Sequence, residues 1–466
     1  MRFFKLLFVV YCLTINASQA QNRAISGTIK GLKNERLILA HYFGATQYFS
    51  KDTAQTDTNG RFVFDGTMPI SEGLYLVVNS KKRQLFEIII DKNQTFSLET
   101  DTLDYFLNMK INGSKENEVY YNYQKKLRNA AAEIKVLQLQ QRLRTDMLLN
   151  NKIANVRSEL SAYYKQFIED NSNTFAAKIY QAATNISLPV PPNRKDGKPD
   201  SVWLFSYYRN HYWDNIDFAE ERLTRTPHLQ RKLDAYFDNL VYQTPDSLTK
   251  AADFVIDKAR AGKAKDMISY CIWYLTNKYE NPKTVGTEAV FVHLAEKYYL
   301  GGIMPITDSL TIKSIAQKVK IMKPLLVGKT MPALSMSDTL QIPRTLADVK
   351  ANYTIVVFYD PECVHCRQST PALKAFYDKN KTRGVQIYAA AIAHSPEQWR
   401  KYIQEFGVQN WIHVYDYSFR IDFKNEFDVV TTPQIYVLDK DKKIVGRRIP
   451  AEQLEAFIDF EERKTK

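Results

Sequence analysis

The chain is poor in the residues that mark small cross-linked or coil-like proteins. Its 466 residues include four cysteines, too few for a disulfide scaffold, so any cysteine chemistry must be concentrated in one place. Glycine (16) and proline (17) are scarce for that length. Much of the chain should therefore be helical rather than a series of tight turns. Beyond the first twenty residues, no apolar run approaches the roughly 20 residues that span a bilayer. Hydrophobic side chains at 45% and charged ones at 25% suffice for several cores, and the length suggests about three domains.

The N-terminus carries the marks of an export signal. Arg2 and Lys5 precede an apolar stretch from Leu6 to Leu13, and Asn16-Ala17-Ser18-Gln19-Ala20 offers small residues where a signal peptidase reads. A cleaved signal over residues 1–20 and a destination in the periplasm or cell envelope are expected. A lipid anchor on Cys12 is the weaker reading, because bulky Tyr11 precedes it. The formal net charge is +13, two fewer without Arg2 and Lys5. Its Lys and Arg are interleaved with Asp and Glu, which reads as a solvated basic surface rather than a nucleic-acid footprint. No nucleic-acid partner is expected; peripheral attraction to an anionic envelope surface is compatible with the charge. The oligomeric state is open.

Three patterns follow one another along the chain. Over 21–113 the apolar residues alternate with period two: Ala24–Ile29, Arg36–Tyr42, Arg61–Phe64, Leu74–Val78, Leu85–Ile90 and Thr95–Leu98 read as strands. Turn signals at Asn59-Gly60, Asp65-Gly66 and Asp91-Lys92-Asn93 separate them, predicting a small antiparallel β-sandwich. Over 114–326 the period becomes helical, with Ile153, Val156, Leu160, Tyr164 and Phe167 on one face and neither glycine nor proline between Gly113 and Pro189. One long helix is expected there, or two joined at Asn150-Asn151. More helices should run from Ser201 to about Lys320, with junctions at Thr226-Pro227, Thr244-Pro245 and Asn281-Pro282. The aromatic run Trp203, Phe205, Tyr207, Tyr208, His211, Tyr212, Trp213 is expected to serve packing, and Cys271, in an apolar helical stretch, to be buried and inert. Over 327–466 strands and helices alternate. Thr354–Phe358, Val385–Ala391, Gln434–Leu438 and Ile444–Ile449 read as strands. Cys363–Lys379, Pro396–Phe406 and Ala451–Glu462 read as helices, the second capped by Ser395. The expected fold class is therefore multidomain α+β: an N-terminal β-sandwich, an all-α middle region and a C-terminal α/β domain.

The chemistry is concentrated where the strand Thr354-Ile355-Val356-Val357-Phe358-Tyr359 meets Asp360-Pro361-Glu362-Cys363-Val364-His365-Cys366. A C-x-x-C between a buried strand and a helix is a redox arrangement. Cys363 at a helix N-terminus faces unsatisfied backbone N–H groups and the positive dipole end, both favouring the thiolate that attacks disulfides. Cys366, one turn along, is placed to reach back to it. Half of a zinc site is an alternative, but a second cysteine pair is lacking; a purely structural disulfide is another, though so short a loop restrains little.

Phe358-Tyr359, the Cys363–Cys366 pair, Pro371, and Thr432-Pro433 ahead of a strand together resemble the thioredoxin fold. The lead-in Val327-Gly328-Lys329-Thr330-Met331-Pro332, and the segment that places Pro433 seventy residues past Cys363, resemble its exported TlpA- and ResA-like branch. The resemblance covers roughly 327–462; the whole layout is similar to multidomain envelope proteins of anaerobic Gram-negative bacteria. It implies that Cys363 is the exposed nucleophile and Cys366 the buried resolving thiol, the two forming the redox disulfide. It also implies that Pro433 is the cis-proline beside them, and that the Thr432 backbone pairs with an extended substrate. The sequence departs from thioredoxin at Val357, where thioredoxin has a buried Asp. Glu362 is then the nearest carboxylate for proton handling, or else a solvent-facing loop residue. His365 replaces a proline inside the pair. A histidine there stabilises the thiolate and makes the couple more oxidising, between about −270 mV for thioredoxin and about −120 mV for DsbA.

The implied activity is that of an exported thiol:disulfide oxidoreductase, reducing or exchanging disulfides in protein substrates and reset by an upstream electron donor. No cofactor and no metal is expected. Two alternatives stand beside it. A thiol peroxidase of the peroxiredoxin-related branch wants a proline and a Thr or Ser at set distances before the cysteine, and Pro361 is only two residues before Cys363. The other is an envelope peptide- or protein-binding scaffold with a minor redox role.

Overall fold

The computed structural model describes residues 23–464 apart from Thr46, 144–146, Lys283 and His394. The signal expected over 1–20, with Cys12, lies outside them. The chain forms two compact units, Met1–Asp234 and Ala235–Lys466.

The first unit opens with β1 (Arg23–Lys30), β2 (Arg36–Phe43), β3 (Gln47–Gln55), β4 (Arg61–Gly66), β5 (Gly73–Asn79), β6 (Gln84–Ile90), β7 (Thr95–Asp101) and β8 (Lys110–Asn112). They form two four-stranded sheets, β4-β1-β7-β8 and β3-β2-β5-β6, joined by the Arg23–Asp52 ion pair between β1 and β3. All six expected strands are present. The pairing is not antiparallel throughout: β1 and β7 run parallel, Ala24 opposite Thr95 through to Lys30 opposite Asp101. The reason is topological. After β4 the chain crosses to the other sheet for β5 and β6, and β7 returns beside β1 in the same direction.

Helices α1 (Lys115–Leu143), α2 (Met147–Asp170), α3 (Phe175–Ala183) and α4 (Ser201–His211) follow, and the division at Asp234 falls within α5 (Pro227–Asn239). Asn117 on α1 exchanges two 2.7 Å hydrogen bonds with the backbone of Ile89, docking the helix on the second sheet. Glu116 caps α3 by accepting from the N–H groups of Phe175 and Ala176. Two helices replace one, but they do not break at Asn150-Asn151: those residues sit in the early turns of α2, where Asn150 accepts from Gln141 across the pair. The aromatic run divides. Tyr212 and Trp213 are buried, whereas α4 buries none of its residues, and Trp203, Tyr207 and His211 stack along it at i, i+4 spacing. The packing expectation holds only in part for α4: Leu204, Tyr207, Tyr208 and His211 form one half-buried face, and the rest of the helix is exposed.

The second unit continues with α6 (Pro245–Gly262), α7 (Lys265–Glu280), α8 (Glu288–Leu294) and α9 (Ser309–Met322). Pro245 opens α6 at the position where its missing N–H is not needed, with Thr244 as cap. The remainder is β9 (Ser335–Ser337), β10 (Pro343–Thr345), β11 (Tyr353–Tyr359), α10 (Val364–Asn380), β12 (Val385–Ala391), α11 (Pro396–Phe406), β13 (Ile412–Tyr415), α12 (Phe423–Phe427), β14 (Gln434–Leu438), β15 (Ile444–Arg447) and α13 (Leu454–Lys464). The seven strands are ordered β10-β9-β13-β12-β11-β14-β15. β11 lies inside the sheet, next to the middle strand, and pairs parallel with β12 and antiparallel with β14.

Both faces of this sheet are covered, which is why β11 reads as an unbroken apolar run. Ile355, Val357 and Tyr359 enter one core with Cys366, Leu373 and Trp399; Val356 and Phe358 enter the other with Leu325, Met331 and Phe427. Gly446 on β15 is required by close approach, since a Cβ there would stand 2.6 Å from the ring of Phe457 on α13. Gly407 ends α11 at φ +61°, the left-handed cap that glycine tolerates best. Helices α7 to α9 are fastened to the sheet region by polar contacts. Arg448 donates to Asn281 at 2.7 Å, Gln317 to Asn425 at 3.4 Å, and buried Arg447 lies between Asp428 and Glu288.

Candidate active site

The site is built where β11 delivers the chain to the start of α10. Cys363 is the N-cap of that helix, with φ −67° and ψ 122°; Cys366 lies one turn along and is 2% exposed. The turn between strand and helix is held by Asp360, whose carbonyl accepts from the Cys363 N–H at 3.1 Å and whose carboxylate accepts from the Glu362 N–H at 2.8 Å. Both cysteines are free thiols. From across the sheet, the turn before β14 brings Thr432 and Pro433, joined by a cis peptide bond. The Cys363 thiol donates to the Thr432 carbonyl at 3.4 Å.

These placements set the two thiols against each other. Partial burial works to raise the Cys363 pKa, but the Thr432 side chain, the backbone N–H and thiol of Cys366 and the backbone N–H of His365 outweigh it, so the thiol lies below its ordinary value. This is the electrostatics of a helix N-terminus applied to sulfur: the first-turn N–H groups have no carbonyl partner and lie at the end of the helix that Cys363 begins. Cys366 is pushed up to about 12, mainly by burial and further by the adjacent Cys363, against the backbone of Asp360 and the side chain of Thr432. One thiol is poised to attack and the other to wait.

Val357, at the place of thioredoxin's buried Asp, is 2% exposed and packs in the same core as Cys366. The exposed Glu362 carboxylate accepts from Gln398 at 2.8 Å. It is not among the groups that dominate either thiol. His365 is exposed and contributes its backbone N–H to Cys363 rather than a resolved side-chain contact. Behind Cys366 the core is polar at isolated points. Thr370 donates to the Cys366 carbonyl at 2.7 Å and meets the Tyr402 hydroxyl, while Tyr359 donates to His413 at 3.3 Å. The hydroxyl pair was not singled out from sequence, because nothing in the spacing of Thr370 and Tyr402 signals contact.

A cleft of about 750 Å³ adjoins the site, lined by Ser314 and Gln317 of α9, Ser369 of α10, and Thr431, Pro433, Gln434 and Arg448 among others. Sequence reading missed it, since its walls come from segments more than a hundred residues apart. Among the described residues, no group of three or more His, Cys, Asp or Glu is arranged to hold a metal ion, and no helix is long and apolar enough to cross a membrane.

Comparison with known proteins gives three family matches: a thioredoxin-like model over residues 351–444, and two domains of unknown function, DUF4369 over 24–120 and DUF5106 over 190–323. The chain is 26% identical over 141 residues to the thiol-disulfide oxidoreductase ResA of Bacillus cereus, covering 28% of this chain and 76% of that one. A domain of a possible thiol-disulfide isomerase from Cytophaga hutchinsonii is 44% identical, with 31% of this chain and 99% of that one covered and a TM-score of 0.30. A thioredoxin-like protein from Bacteroides caccae is 18% identical over 59% of this chain and 99% of that one, with a TM-score of 0.48.

Proposed function

Given that the chain belongs to the TlpA/ResA-like thioredoxin-fold thiol-disulfide oxidoreductases, we propose that Cys363 and Cys366 form its redox centre, with Cys363 as nucleophile. The observation that carries this is the opposed pair of thiols: the helix-capping Cys363 held below its ordinary pKa, and the buried Cys366 pushed up to about 12. Membership implies disulfide-containing protein substrates.

The thiolate of Cys363 attacks one sulfur of a substrate disulfide. A Cys363–substrate disulfide forms, the substrate S–S bond breaks, and the departing thiolate takes up a proton. Cys366 then gives up its own proton and attacks the Cys363 sulfur. The second substrate thiolate leaves and the Cys363–Cys366 bridge closes. The substrate has gained two electrons and the protein has lost two; a dithiol donor of the same chemical class returns them by the reverse exchange. Run backwards, the same steps donate a disulfide.

Thr432 and Pro433 supply the edge against which an extended substrate lies, with the Thr432 backbone as partner. A Cys363 thiol held below its ordinary pKa, with the His365 backbone N–H among the causes, favours the reduced pair and sets the couple between the thioredoxin and DsbA potentials, which a titration against glutathione checks: a value more negative than thioredoxin's contradicts it. The chain works in the periplasm or cell envelope, exported by a signal over 1–20, with 21–113, 114–326 and 327–466 as its β, helical and thioredoxin-like domains. Dithiothreitol-driven reduction of a disulfide protein tests the reading. The Cys363→Ser variant should be inactive and Cys366→Ser should accumulate a mixed disulfide. Turnover indifferent to both contradicts the reading, and peroxide consumption dependent on Cys363 would favour a peroxidase.

A further inference from the structure

A second cleft, of about 570 Å³, opens where α11, the start of β13 and the β9–β10 hairpin meet; none of Cys363, Cys366, Thr432 and Pro433 lines it. Its origin is topological. The hairpin joins the sheet through the pair Ser337 and Tyr415, so the sheet parts beyond that point and Ile412 and His413 line a gap. Across the gap α11 presents Arg400, Ile403 and Gln404, which share one helix face at i, i+3, i+4 spacing.

Two groups of the lining are unmatched. Trp411 is 6% exposed and its Nε1–H has no hydrogen-bond partner, although a buried indole N–H ordinarily finds one. Arg400 is half-buried and, among the described residues, no carboxylate pairs with it; its guanidinium donates to the neutral Tyr417 hydroxyl at 3.4 Å. The other ionisable groups are satisfied. Arg344 is paired with Asp338 at 2.8 Å. His413 stays neutral, its ring nitrogens bonded to the Val408 carbonyl and the Tyr359 hydroxyl. The cleft therefore carries one uncompensated positive charge and one buried donor beside the apolar Ile403 and Ile412. A single charge calls for a monoanion, and the planar guanidinium fork fits a carboxylate through two parallel N–H bonds. The volume falls within the about 300–1,000 Å³ of small-molecule sites.

We propose that the cleft between α11 and the β9–β10 hairpin binds a small organic monocarboxylate, its carboxylate held by the Arg400 guanidinium and the Trp411 Nε1–H and its apolar body lying against Ile403 and Ile412. The site stands apart from the redox pair and does not depend on the assignment of the nucleophile.

The test is titration calorimetry on the full chain with phenylacetate, its neutral counterpart phenylacetamide, and phenylphosphate. Phenylacetate should bind at one site with a Kd of about 1 mM, the amide about tenfold more weakly, equivalent to about 1.4 kcal/mol, and phenylphosphate no more tightly than phenylacetate. Arg400→Gln should weaken phenylacetate about tenfold and leave the amide unchanged. Trp411→Phe, which keeps a ring and removes the N–H, should weaken phenylacetate about threefold; Arg400→Gln alters a half-buried position and decides the matter even where Trp411→Phe fails to fold. Cys363→Ser should bind phenylacetate as the unaltered chain does. The proposal is overturned by the absence of saturable binding well above that Kd, by equal affinity for acid and amide, by tighter binding of phenylphosphate, or by an affinity that Arg400→Gln leaves unchanged. Loss of binding in Cys363→Ser overturns it too, because the probe would then sit at the redox pair.

Discussion

Cys271 and Cys363 are the same side chain on two helices of one compact unit, and their environments drive them in opposite directions. Cys271 sits in the middle of α7, fully buried, where every N–H of the surrounding turns is already bonded to a carbonyl; burial pushes its thiol up to about 12. Cys363 caps α10, where the first N–H groups have no such partner, and its thiol lies below its ordinary value. Cys366 shares the helix with Cys363 but the burial with Cys271, and it follows Cys271. Reactivity is thus set by position along a helix and by depth, not by the helix itself.

The widest separation between the two regions should appear on removing each sulfur. Cys363→Ser should lower disulfide reduction at least about a thousandfold, since a hydroxyl is not ionised at neutral pH. Cys271→Ser should leave turnover intact and cost about 1–3 kcal/mol of stability by burying a hydroxyl in an apolar core, as read by urea unfolding. Turnover lost in Cys271→Ser would break the comparison. Next in size, Cys366→Ser should stall after the first exchange, with a substrate adduct on Cys363 visible by non-reducing mass spectrometry.

Burial dominates at His413, opposed only in part by a backbone hydrogen bond. Desolvation lowers its pKa to about 4, and one ring nitrogen bonds the Val408 carbonyl at 2.7 Å. The folded state keeps it neutral while the unfolded chain protonates near 6.5. Stability is therefore lost as pH falls from 6.5 toward 4, by about 2 kcal/mol from neutral pH to pH 5. Chemical denaturation at several pH values should show this component in the native chain and not in His413→Gln. The smallest effect belongs to Thr432→Val, which removes a group that lowers the Cys363 pKa. Alkylation of Cys363 at neutral pH should slow severalfold as its pKa rises toward the ordinary value.

Legibility from sequence followed the strength of the local physics. The Ser395 cap appears as foreseen, accepting from the Gln398 N–H at 3.2 Å, and α11 spans Pro396–Phe406 as the pattern required. The Cys363–Cys366 turn was legible because strand, turn and helix are contiguous. β3 was not: along Gln47–Gln55 no residue is buried, so an edge strand left no alternation to find. β13 offers only four residues, Ile412–Tyr415, and its place beside β12 is decided by the sheet. The parallel pairing of β1 with β7 and the cleft wall supplied by α9 depend on contacts remote in sequence, which no local period encodes.

The most direct test of the central claim is the pH dependence of alkylation at each cysteine of the reduced chain, read by iodoacetamide labelling and peptide mass spectrometry. Cys363 should label with a midpoint below the ordinary thiol value of about 8.5, while Cys366 and Cys271 stay unlabelled until the protein is well above pH 10 or unfolds. Equal labelling of Cys363 and Cys366, or a Cys363 midpoint above the ordinary value, would contradict the account.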